Sequence, residues 1–465
     1  MKMAAGETPS LRDSVGNARG LRFFWDPVKS ARYTDLKDGT SLAVGLTDLA
    51  GRSVLVATTT QLTTALALIE LDAVARRLVI LPPDMEADLL DTVIATTEVD
   101  AVVIDDGSPE RLALDFSICT GCAASIRPMA GSYPARARTE WVLMTSGTTG
   151  VPKMVVHDLA GLSAAIRASS PADGAAVWGT FYDIRRYGGL QIFLRAVLGG
   201  ASLVLSSAGE PVADHLGRLA KHGVTHLSGT PSQWRRALMS PALPTVSPHY
   251  VRLSGEIADQ AVLDGLRNAF PHAAVGHAYA STEAGVGFDV NDGMAGFPAA
   301  YVGSIRNGVE MKVLDDSLRI RSRGTAFGYV GGRQTLADAD GFVDTGDVVE
   351  RRGDRYYFVG RKGGIINIGG LKVHPEEIEA VINRHPEVRM SLVRPKQNPI
   401  TGSIVVADVV LKSPERSAAS AQNEVKNDIL KLCRETLPRH KIPAVISFVP
   451  ALKVAATGKL LRRVG

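Results

Sequence analysis

Two hydrophobic periods alternate along residues 53–106, and no other feature constrains the fold of this chain as strongly. Apolar runs of strand length are separated by stretches that carry apolar residues at helical spacing. Because a strand–helix–strand order joins parallel strands through a crossover, the alternation predicts an α/β fold with parallel-type sheets. The apolar runs are SVLVATTT (53–60), LVILPPD (78–84) and DAVVIDD (100–106), and the helices are expected at 63–77 and 87–99.

The same alternation recurs three times before about residue 300, after which short strand-like segments replace it. These segments lead to a predicted hairpin at 348–361 and then to a small α+β unit. The sequence therefore predicts a large N-terminal domain (1–361) with crossover helices and a small C-terminal domain (362–465). Gly363 and Gly364 would form a pivot between them.

Composition excludes several classes of protein. No run approaches the roughly 18 apolar residues of a membrane helix, and the first residues lack the apolar middle of a secretion signal. Three cysteines are too few for a disulfide scaffold, so we expect a cytoplasmic protein whose first 20 residues are loose. The part 362–465 has 17 basic and 9 acidic residues, but no interleaved aromatics that would indicate nucleic-acid binding.

The segment MTSGTTGVPKMVVH (144–157) crowds Ser, Thr and Gly between two strand-like runs. Such a turn lets backbone N–H groups and hydroxyls converge on an anion, although the same composition is also typical of an ordinary flexible hairpin. It is not a Walker A loop, because Pro152 stands where that motif needs its second glycine. The candidate phosphate-binding residues are Thr145, Ser146, Gly147, Thr148, Thr149, Gly150 and Lys153.

This segment resembles the phosphate-binding signature of the acyl- and aminoacyl-adenylate-forming superfamily, which includes the acyl-CoA synthetases. A second signature follows in the expected order, because YASTEAG (279–285) resembles the superfamily's Tyr-Gly-x-Thr-Glu motif. Ala280 stands where that motif usually has glycine. The resemblance implies that Tyr279 flanks adenine, that Thr282 contacts phosphate and that Glu283 coordinates Mg²⁺.

Two further segments are similar to the parts of the superfamily that hold adenine and ribose. SGE (254–256) resembles the segment that lines the adenine pocket, which implicates its Gly255 and Glu256. DTGD (344–347) resembles the Thr-Gly-Asp motif whose carboxylate binds both ribose hydroxyls, so Asp347 is the candidate. Arg361 resembles the arginine that assists at the ribose.

The segment 360–382 resembles the signature that opens the superfamily's mobile C-terminal domain. Gly363 occupies the hinge position, where the superfamily usually has Asp or Lys, so the resemblance implies a hinge without its polar contact. Gly369 and Gly370 would line the tunnel that admits a thiol.

ATGKLLRR (456–463) resembles the terminal signature of the superfamily, whose lysine catalyses adenylation. The resemblance therefore implies that Lys459 is the main catalytic residue, assisted by Thr282 and Glu283. Without the signatures upstream, a frayed and solvated tail would be the default interpretation of this lysine.

The superfamily's acyl pocket corresponds to roughly 180–235 and 254–285 of this chain. FYDIRRYGG (181–189) carries two arginines where relatives often have an aromatic residue or histidine. One hypothesis is that an arginine here pairs with a second polar group on a small acid; the alternative is an arginine on the outer face of the crossover. The candidate pocket residues are Tyr182, Arg185, Arg186, Gly188 and Ala278.

The resemblance implies an enzyme that uses Mg²⁺ and ATP to convert a small carboxylic acid to an acyl-adenylate. A thiol, most simply that of CoA, would then displace AMP, which makes the chain an acid–CoA ligase. One alternative is a stand-alone adenylation enzyme that loads a separate phosphopantetheinyl carrier protein. Another is a catalytically inactive nucleotide-binding module. Neither a nucleic-acid partner nor a membrane span is expected.

Overall fold

The computed structural model describes residues 10–16, 18, 20–107, 116–130, 133–134, 136–145, 152–166, 176–332, 335–368, 371–398, 402–412, 419–453 and 459–460. Its helices and strands confirm the predicted α/β architecture, with a large N-terminal region and a smaller C-terminal one. No helix within these ranges is long and apolar enough to cross a membrane.

The helices are α1 (Leu11–Gly16), α2 (Leu46–Leu49), α3 (Gln61–Leu71), α4 (Leu90–Thr97), α5 (Leu159–Ser163), α6 (Tyr187–Leu198), α7 (Val212–Lys221), α8 (Pro231–Ala237), α9 (Gln260–Ala269), α10 (Pro375–Ile382) and α11 (Ala419–Thr436). The strands are β1 (Phe23–Trp25), β2 (Ser30–Arg32), β3 (Gly39–Leu42), β4 (Ser53–Val56), β5 (Arg77–Ile80), β6 (Ala101–Asp105), β7 (Ile118–Pro128), β8 (Glu140–Thr145), β9 (Lys153–His157), β10 (Val177–Thr180), β11 (Ser202–Val204), β12 (His226–Gly229), β13 (Tyr250–Ser254), β14 (Ala274–Ser281), β15 (Gly285–Val290), β16 (Phe297–Pro298), β17 (Ile305–Arg306), β18 (Val309–Leu314), β19 (Ser317–Ser322), β20 (Gly328–Tyr329), β21 (Val343–Arg352), β22 (Arg355–Arg361), β23 (Ile366–Ile368), β24 (Leu371–Val373), β25 (Val388–Asn398), β26 (Gly402–Leu411) and β27 (Val445–Phe448).

The first sheet has the strand order β20-β9-β8-β5-β4-β6-β7-β3. Its centre is parallel, as the alternation predicts, with Val54 of β4 opposite Leu78 of β5. Helix α3 is buried along its whole length, which explains the run of small and aliphatic residues in its sequence. Within this sheet the parallel pairing ends near both edges, because β9, β20 and β3 pair antiparallel with their neighbours.

The second sheet has the order β15-β14-β13-β12-β10-β11-β1-β2 and is parallel except at its two edges. Val251 and Leu253 of β13 pack with residues of α7, α8 and α9 in one apolar cluster. The carboxyl ends of parallel strands meet at one edge of a sheet, where ligands of α/β proteins bind. Ser254 and Ser281 end β13 and β14 at this edge.

The third sheet, β16-β22-β21-β19-β18-β17, is antiparallel. It contains the predicted hairpin as β21 and β22, whose turn places Gly353 at a φ of +64°. Glycine accepts this left-handed conformation without the steric penalty that a side chain would add.

The C-terminal region forms a sheet of β25, β26 and β27 with α10 and α11. Pro375 occupies the start of α10 and two glutamates lie in its first turn, because the fixed φ of proline suits the first helical position and negative charge suits the positive end of the helix. Ile378, Val409 and Ile429 belong to an apolar cluster of this region's own residues. The structure thus gives the C-terminal region a core of its own.

The expectation that the first 20 residues are loose is wrong for residues 10–16. Helix α1 buries Leu11 and Val15 completely, and the Leu11 N–H donates a 2.9 Å hydrogen bond to Asp72 Oδ2. Two apolar side chains one helical turn apart were the signal for this helix, and the short Gly/Ser-rich context hid it.

Candidate active site

The candidate ribose carboxylate, Asp347, lies on β21 between two donors. The Tyr279 hydroxyl donates a 2.5 Å hydrogen bond to Asp347 Oδ2, and Arg361 Nε donates one of 2.8 Å to Oδ1. The Tyr279 ring stacks on Phe358 with centroids 5.1 Å apart. Burial raises the pKa of Tyr279 well above its usual value, and the charge of Asp347 raises it further. Tyr279 on β14 of the second sheet and Asp347 and Arg361 on the hairpin of the third sheet are therefore brought together.

The predicted catalytic lysine lies against the predicted adenine segment. Gly255 has a φ of +87°, and a Cβ atom added there would lie 3.4 Å from Lys459 Cε. Leu460 N donates a 3.1 Å hydrogen bond to Glu256 Oε1, and the N–H and hydroxyl of Ser232 also donate to this carboxylate. The structure thus places the segment that carries Lys459 against the predicted adenine segment, although the two are remote in the sequence.

Lys459 retains exposed surface, yet protein surrounds its ammonium group closely enough that desolvation lowers its pKa. The positive charge of Arg361 lowers the pKa of Lys459 further, while the carboxylates of Glu256 and Asp347 oppose these effects. The ammonium group of Lys459 is therefore placed where it could interact with an anionic ligand bound near these residues.

The candidate phosphate residues at the ends of β8 and β9 are adjacent, because Thr145 is registered opposite Lys153. Lys153 Nζ lies 5.3 Å above the centre of the Tyr329 ring, and the Tyr329 hydroxyl is hydrogen-bonded to Glu283. The predicted residues Ser146, Gly147, Thr148, Thr149 and Gly150 lie outside the described residues.

Tyr329 is a residue that the sequence interpretation missed. Desolvation raises its pKa, and the neighbouring charge of Glu283 raises it further. It reaches the site because β20 pairs with β9, which sets Tyr329 opposite Val155. No local pattern indicates this pairing between strands more than 170 residues apart in the sequence, so only the strand register reveals it.

Thr282 and Glu283 follow β14, and backbone contacts fix both residues. The carbonyl oxygen of Thr282 lies 2.7 Å from His157 Nε2, and the carbonyl of Glu283 accepts a 2.9 Å hydrogen bond from Ala326 N. Two adjoining elements therefore position the chain that carries the predicted phosphate and metal ligands.

Glu283 is the candidate ligand for Mg²⁺. Within the described ranges, no group of three or more His, Cys, Asp or Glu side chains is arranged to hold a metal ion. A magnesium ion that is bound chiefly by substrate phosphates and water needs only one or two protein carboxylates. The position of Glu283 near Lys153, through Tyr329, agrees with this donor set.

The predicted hinge residue, Gly363, lies in a short 3₁₀ turn, Lys362–Gly364. A Cβ atom added at Gly363 would meet no atom within 4 Å. Its neighbour Lys362 makes a 3.0 Å ion pair with Asp344. Gly369 and Gly370, predicted to line a thiol tunnel, lie outside the described residues.

Three of the candidate acyl-pocket residues lie near the adenine segment. The buried Tyr182 donates a 2.8 Å hydrogen bond from its hydroxyl to the carbonyl of Ser254, and its ring is 3.7 Å from the Cβ position of Gly188. Ala278 is buried and registered opposite Ser254. These residues share the edge of the second sheet where β13 ends.

The structure gives Arg185 a different role from the one predicted. Its guanidinium is buried and donates two hydrogen bonds to the carboxylate of Asp183, at 2.8 and 2.6 Å. It also donates to the carbonyls of Thr58 and Thr59. Because these partners use its donors, Arg185 ties two loops together, and we remove it from the candidate acyl pocket.

Arg186 forms an ion pair with Asp84 and keeps 20% of its side chain exposed. Its charge acts on Lys459, lowering the pKa of that lysine, so it lies near the candidate site. Because Arg186 is already paired with Asp84, it is a weak candidate for the arginine that would bind a second polar group of the acid.

The sequence matches two families, described as AMP-binding enzyme over residues 48–333 and AMP-binding enzyme C-terminal domain over residues 377–459. The first match covers more than half of the chain, so the protein belongs to the AMP-binding enzyme family. This is the adenylate-forming superfamily that the motifs resemble.

Individual relatives agree with this family. The chain is 26% identical over 366 residues to the mitochondrial acyl-coenzyme A synthetase ACSM2A of Homo sapiens, a match covering 71% of this chain and 61% of the human one. It is 26% identical over 397 residues to 4-coumarate–CoA ligase of Pinus taeda, covering 79% and 72% of the two chains. The matched part thus spans less than two thirds of the human relative.

The fold matches solved structures over nearly the whole chain. A benzoate CoA ligase from Burkholderia xenovorans aligns with a TM-score of 0.78 at 17% identity, covering 97% of this chain and 99% of that one. At this level of identity the comparison establishes the shared fold.

Proposed function

We propose that this chain uses ATP to convert a carboxylic acid to an acyl-adenylate and then transfers the acyl group to the thiol of CoA. The observation that supports this proposal most strongly is the position of Lys459 against Gly255, with Leu460 bound through Glu256. Asp347 and Arg361 lie near the same ammonium group. A nucleotide bound through Asp347 would bring its phosphates within reach of a cation.

In the first half-reaction a carboxylate oxygen attacks the α-phosphorus of ATP, a phosphorus–oxygen bond forms, and the bond to pyrophosphate breaks. The acid is ionised at neutral pH, so no general base is required. Two anions must approach each other, and the main obstacle is therefore electrostatic. Lys459 donates to the charge that builds up between them, while Lys153 and Thr145 stabilise the departing pyrophosphate.

Glu283 would hold Mg²⁺, which supplies positive charge to the phosphates when it is bound. Tyr329 positions this carboxylate through its hydroxyl, and its ring supports Lys153. The tyrosine thus connects the metal ligand and the lysine that faces the pyrophosphate. It is a positioning residue in this scheme.

In the second half-reaction the thiol sulfur attacks the acyl carbon, and the bond between that carbon and the oxygen of AMP breaks. Lys459 and its segment occupy the space beside Gly255 during the first half-reaction, so they must withdraw before the thiol is admitted. We propose that the C-terminal region (362–465) rotates about Gly363, where open space surrounds the backbone. The ion pair between Lys362 and Asp344 would break or re-form in this rotation.

The test is a screen of carboxylic acids for pyrophosphate release, with and without CoA. We expect ATP-dependent release with at least one acid, and formation of an acyl thioester when CoA is present. Release without any thioester, followed by transfer to a phosphopantetheinylated carrier protein, would replace CoA with that carrier. Nucleotide binding without release for every acid would contradict the proposal.

A further inference from the structure

A cavity of about 440 Å³ lies where β9 ends, beside helix α5. Within the described part of the chain, none of the residues predicted for adenylation lines this cavity. Its volume is typical of sites that hold a small molecule. The polar and aromatic residues that line it are Arg138, His157, Asp158, Arg323, Thr325 and Phe327. The cavity is therefore a candidate for a second ligand site.

Two buried polar atoms of the lining residues lack a hydrogen-bond partner among the described residues. His157 is 1% exposed, and neither its Nδ1 atom nor Thr325 Oγ1 has such a partner. The other ring nitrogen, Nε2, lies 2.7 Å from the carbonyl oxygen of Thr282, and it carries the proton because a carbonyl only accepts. Desolvation lowers the pKa of His157, which favours the neutral ring. Nδ1 is therefore an acceptor, and a ligand that donates a hydrogen bond would satisfy it.

The open side of the cavity combines positive charge with an exposed aromatic ring. The Arg138 guanidinium lies 5.3 Å above the ring centre of Phe327, which is 61% exposed. Arg138 also pairs at 2.8 Å with Asp158, but its side chain is 76% exposed, so this pair is weak. Arg323 is exposed at the same cavity, so two guanidiniums accompany one carboxylate. An anionic group attached to a ring would suit this combination.

Two hydrogen bonds connect the walls of this cavity to predicted catalytic residues. His157 donates to the carbonyl of Thr282. Ala326 N, in the lining segment 325–327, donates a 2.9 Å hydrogen bond to the carbonyl of Glu283. A ligand that fixes both walls would therefore also fix the backbone that carries the predicted phosphate and Mg²⁺ ligands. Such a coupling between two sites acts in both directions.

We propose that this cavity binds a small aromatic anion that carries a hydroxyl group, and that the bound anion increases the affinity of the protein for Mg·ATP. The anionic group would lie against Arg138 and Arg323, with the aromatic ring against Phe327. The hydroxyl group would donate to His157 Nδ1. Only the effect on ATP rests on the proposed function, because binding of the anion needs no adenylation chemistry.

The test of binding uses 4-hydroxybenzenesulfonate, which cannot form an acyl-adenylate because it has no carboxylate. Calorimetric titration of the full chain compares this probe with 4-methoxybenzenesulfonate, which lacks the donor, and with phenol, which lacks the charge. We expect each analogue to bind about 10-fold more weakly than the probe. Arg138→Gln and Phe327→Ala should weaken binding of the probe by a similar factor. Both changes replace exposed side chains, so the fold should be retained.

Arg32→Gln is the matched control, because Arg32 is also an exposed arginine above a ring, 5.8 Å from the centre of Phe23. It should leave the affinity for the probe unchanged. Absence of binding, or binding that Arg138→Gln does not weaken, would overturn the assignment of the anion to this cavity.

The test of coupling adds the same probe to the pyrophosphate-release assay. It should lower KM for Mg·ATP by about 5-fold in the wild-type protein and leave KM unchanged in Arg138→Gln. Without the probe, Arg138→Gln should release pyrophosphate at the wild-type rate. Binding of the probe with no change in KM would overturn the effect on ATP. Failure of every carboxylic acid to give release would instead overturn the proposed function, and the titration would still decide whether the cavity binds the anion.

Discussion

Asp347 and Lys459 lie at the same candidate site, but the fold holds them in different ways. Asp347 belongs to a long hairpin and accepts hydrogen bonds from Tyr279 and Arg361, so its position is fixed before any ligand arrives. Lys459 lies on a short segment outside the long strands and helices, next to Leu460, whose N–H reaches Glu256 across the site.

This difference separates binding from catalysis. A preorganised carboxylate contributes to nucleotide affinity without moving, whereas a lysine carried by a separate region can be present for one half-reaction and absent for the next. Loss of Asp347 should therefore impair nucleotide binding, whereas loss of Lys459 should impair the first half-reaction.

The largest effect is expected for Lys459→Ala. Loss of the ammonium group should reduce acid-dependent pyrophosphate release by about 10²- to 10³-fold, because no other group would take over the charge between the reactants. Affinity for AMP and thioester formation from supplied acyl-adenylate should be largely retained. Lys412→Ala, an exposed lysine of the same region, is the control. If Lys459→Ala released pyrophosphate at the wild-type rate, the catalytic role of Lys459 would be refuted.

Asp347→Asn should show the opposite pattern. We expect nucleotide affinity to fall by about 10- to 100-fold, because a neutral amide no longer accepts strongly from ribose hydroxyls and leaves Arg361 without its ion-pair partner. Fluorescent-nucleotide titration measures this loss, with Asp354→Asn in the exposed hairpin turn as control. Unchanged affinity would mean that the preorganised carboxylate serves another purpose.

Tyr329→Phe should lower kcat for pyrophosphate release by about 10-fold, because it removes the hydroxyl that orients Glu283. The loss of kcat should be smaller at a higher Mg²⁺ concentration, because more of the protein would then bind the metal even though Glu283 is less well oriented. Tyr357→Phe, which alters a tyrosine of β22 beside Arg352, should have no such effect. A loss that is independent of Mg²⁺ would count against the positioning role.

The smallest effect concerns pH. Desolvation lowers the pKa of Lys459 below 10.5, so its ammonium group should lose its proton at a lower pH than an ordinary lysine does. As the pH rises through this range, kcat/KM for adenylation should therefore fall by a few fold. Lys459→Arg keeps its charge at alkaline pH and should remove this decline. An alkaline decline that is identical in both proteins must come from another group.

Much of the fold follows from local sequence patterns. The period of the apolar residues predicts β4, α3, β5 and β6, and Pro375 with the acidic residues after it predicts the start of α10. The signatures also select Asp347, Tyr279 and Arg361, which the structure brings together. Their proposed roles remain predictions.

What the sequence determined by itself is therefore the class of fold, the order of its elements and the short motifs, since each depends on residues that are neighbours in the chain. The tertiary structure alone decided that Tyr329 reaches Glu283 and that Arg185 donates hydrogen bonds to the carbonyls of Thr58 and Thr59. These contacts join elements whose relative position depends on strand register and helix packing. No local spacing encodes such a position, because it results from the burial of the whole apolar core.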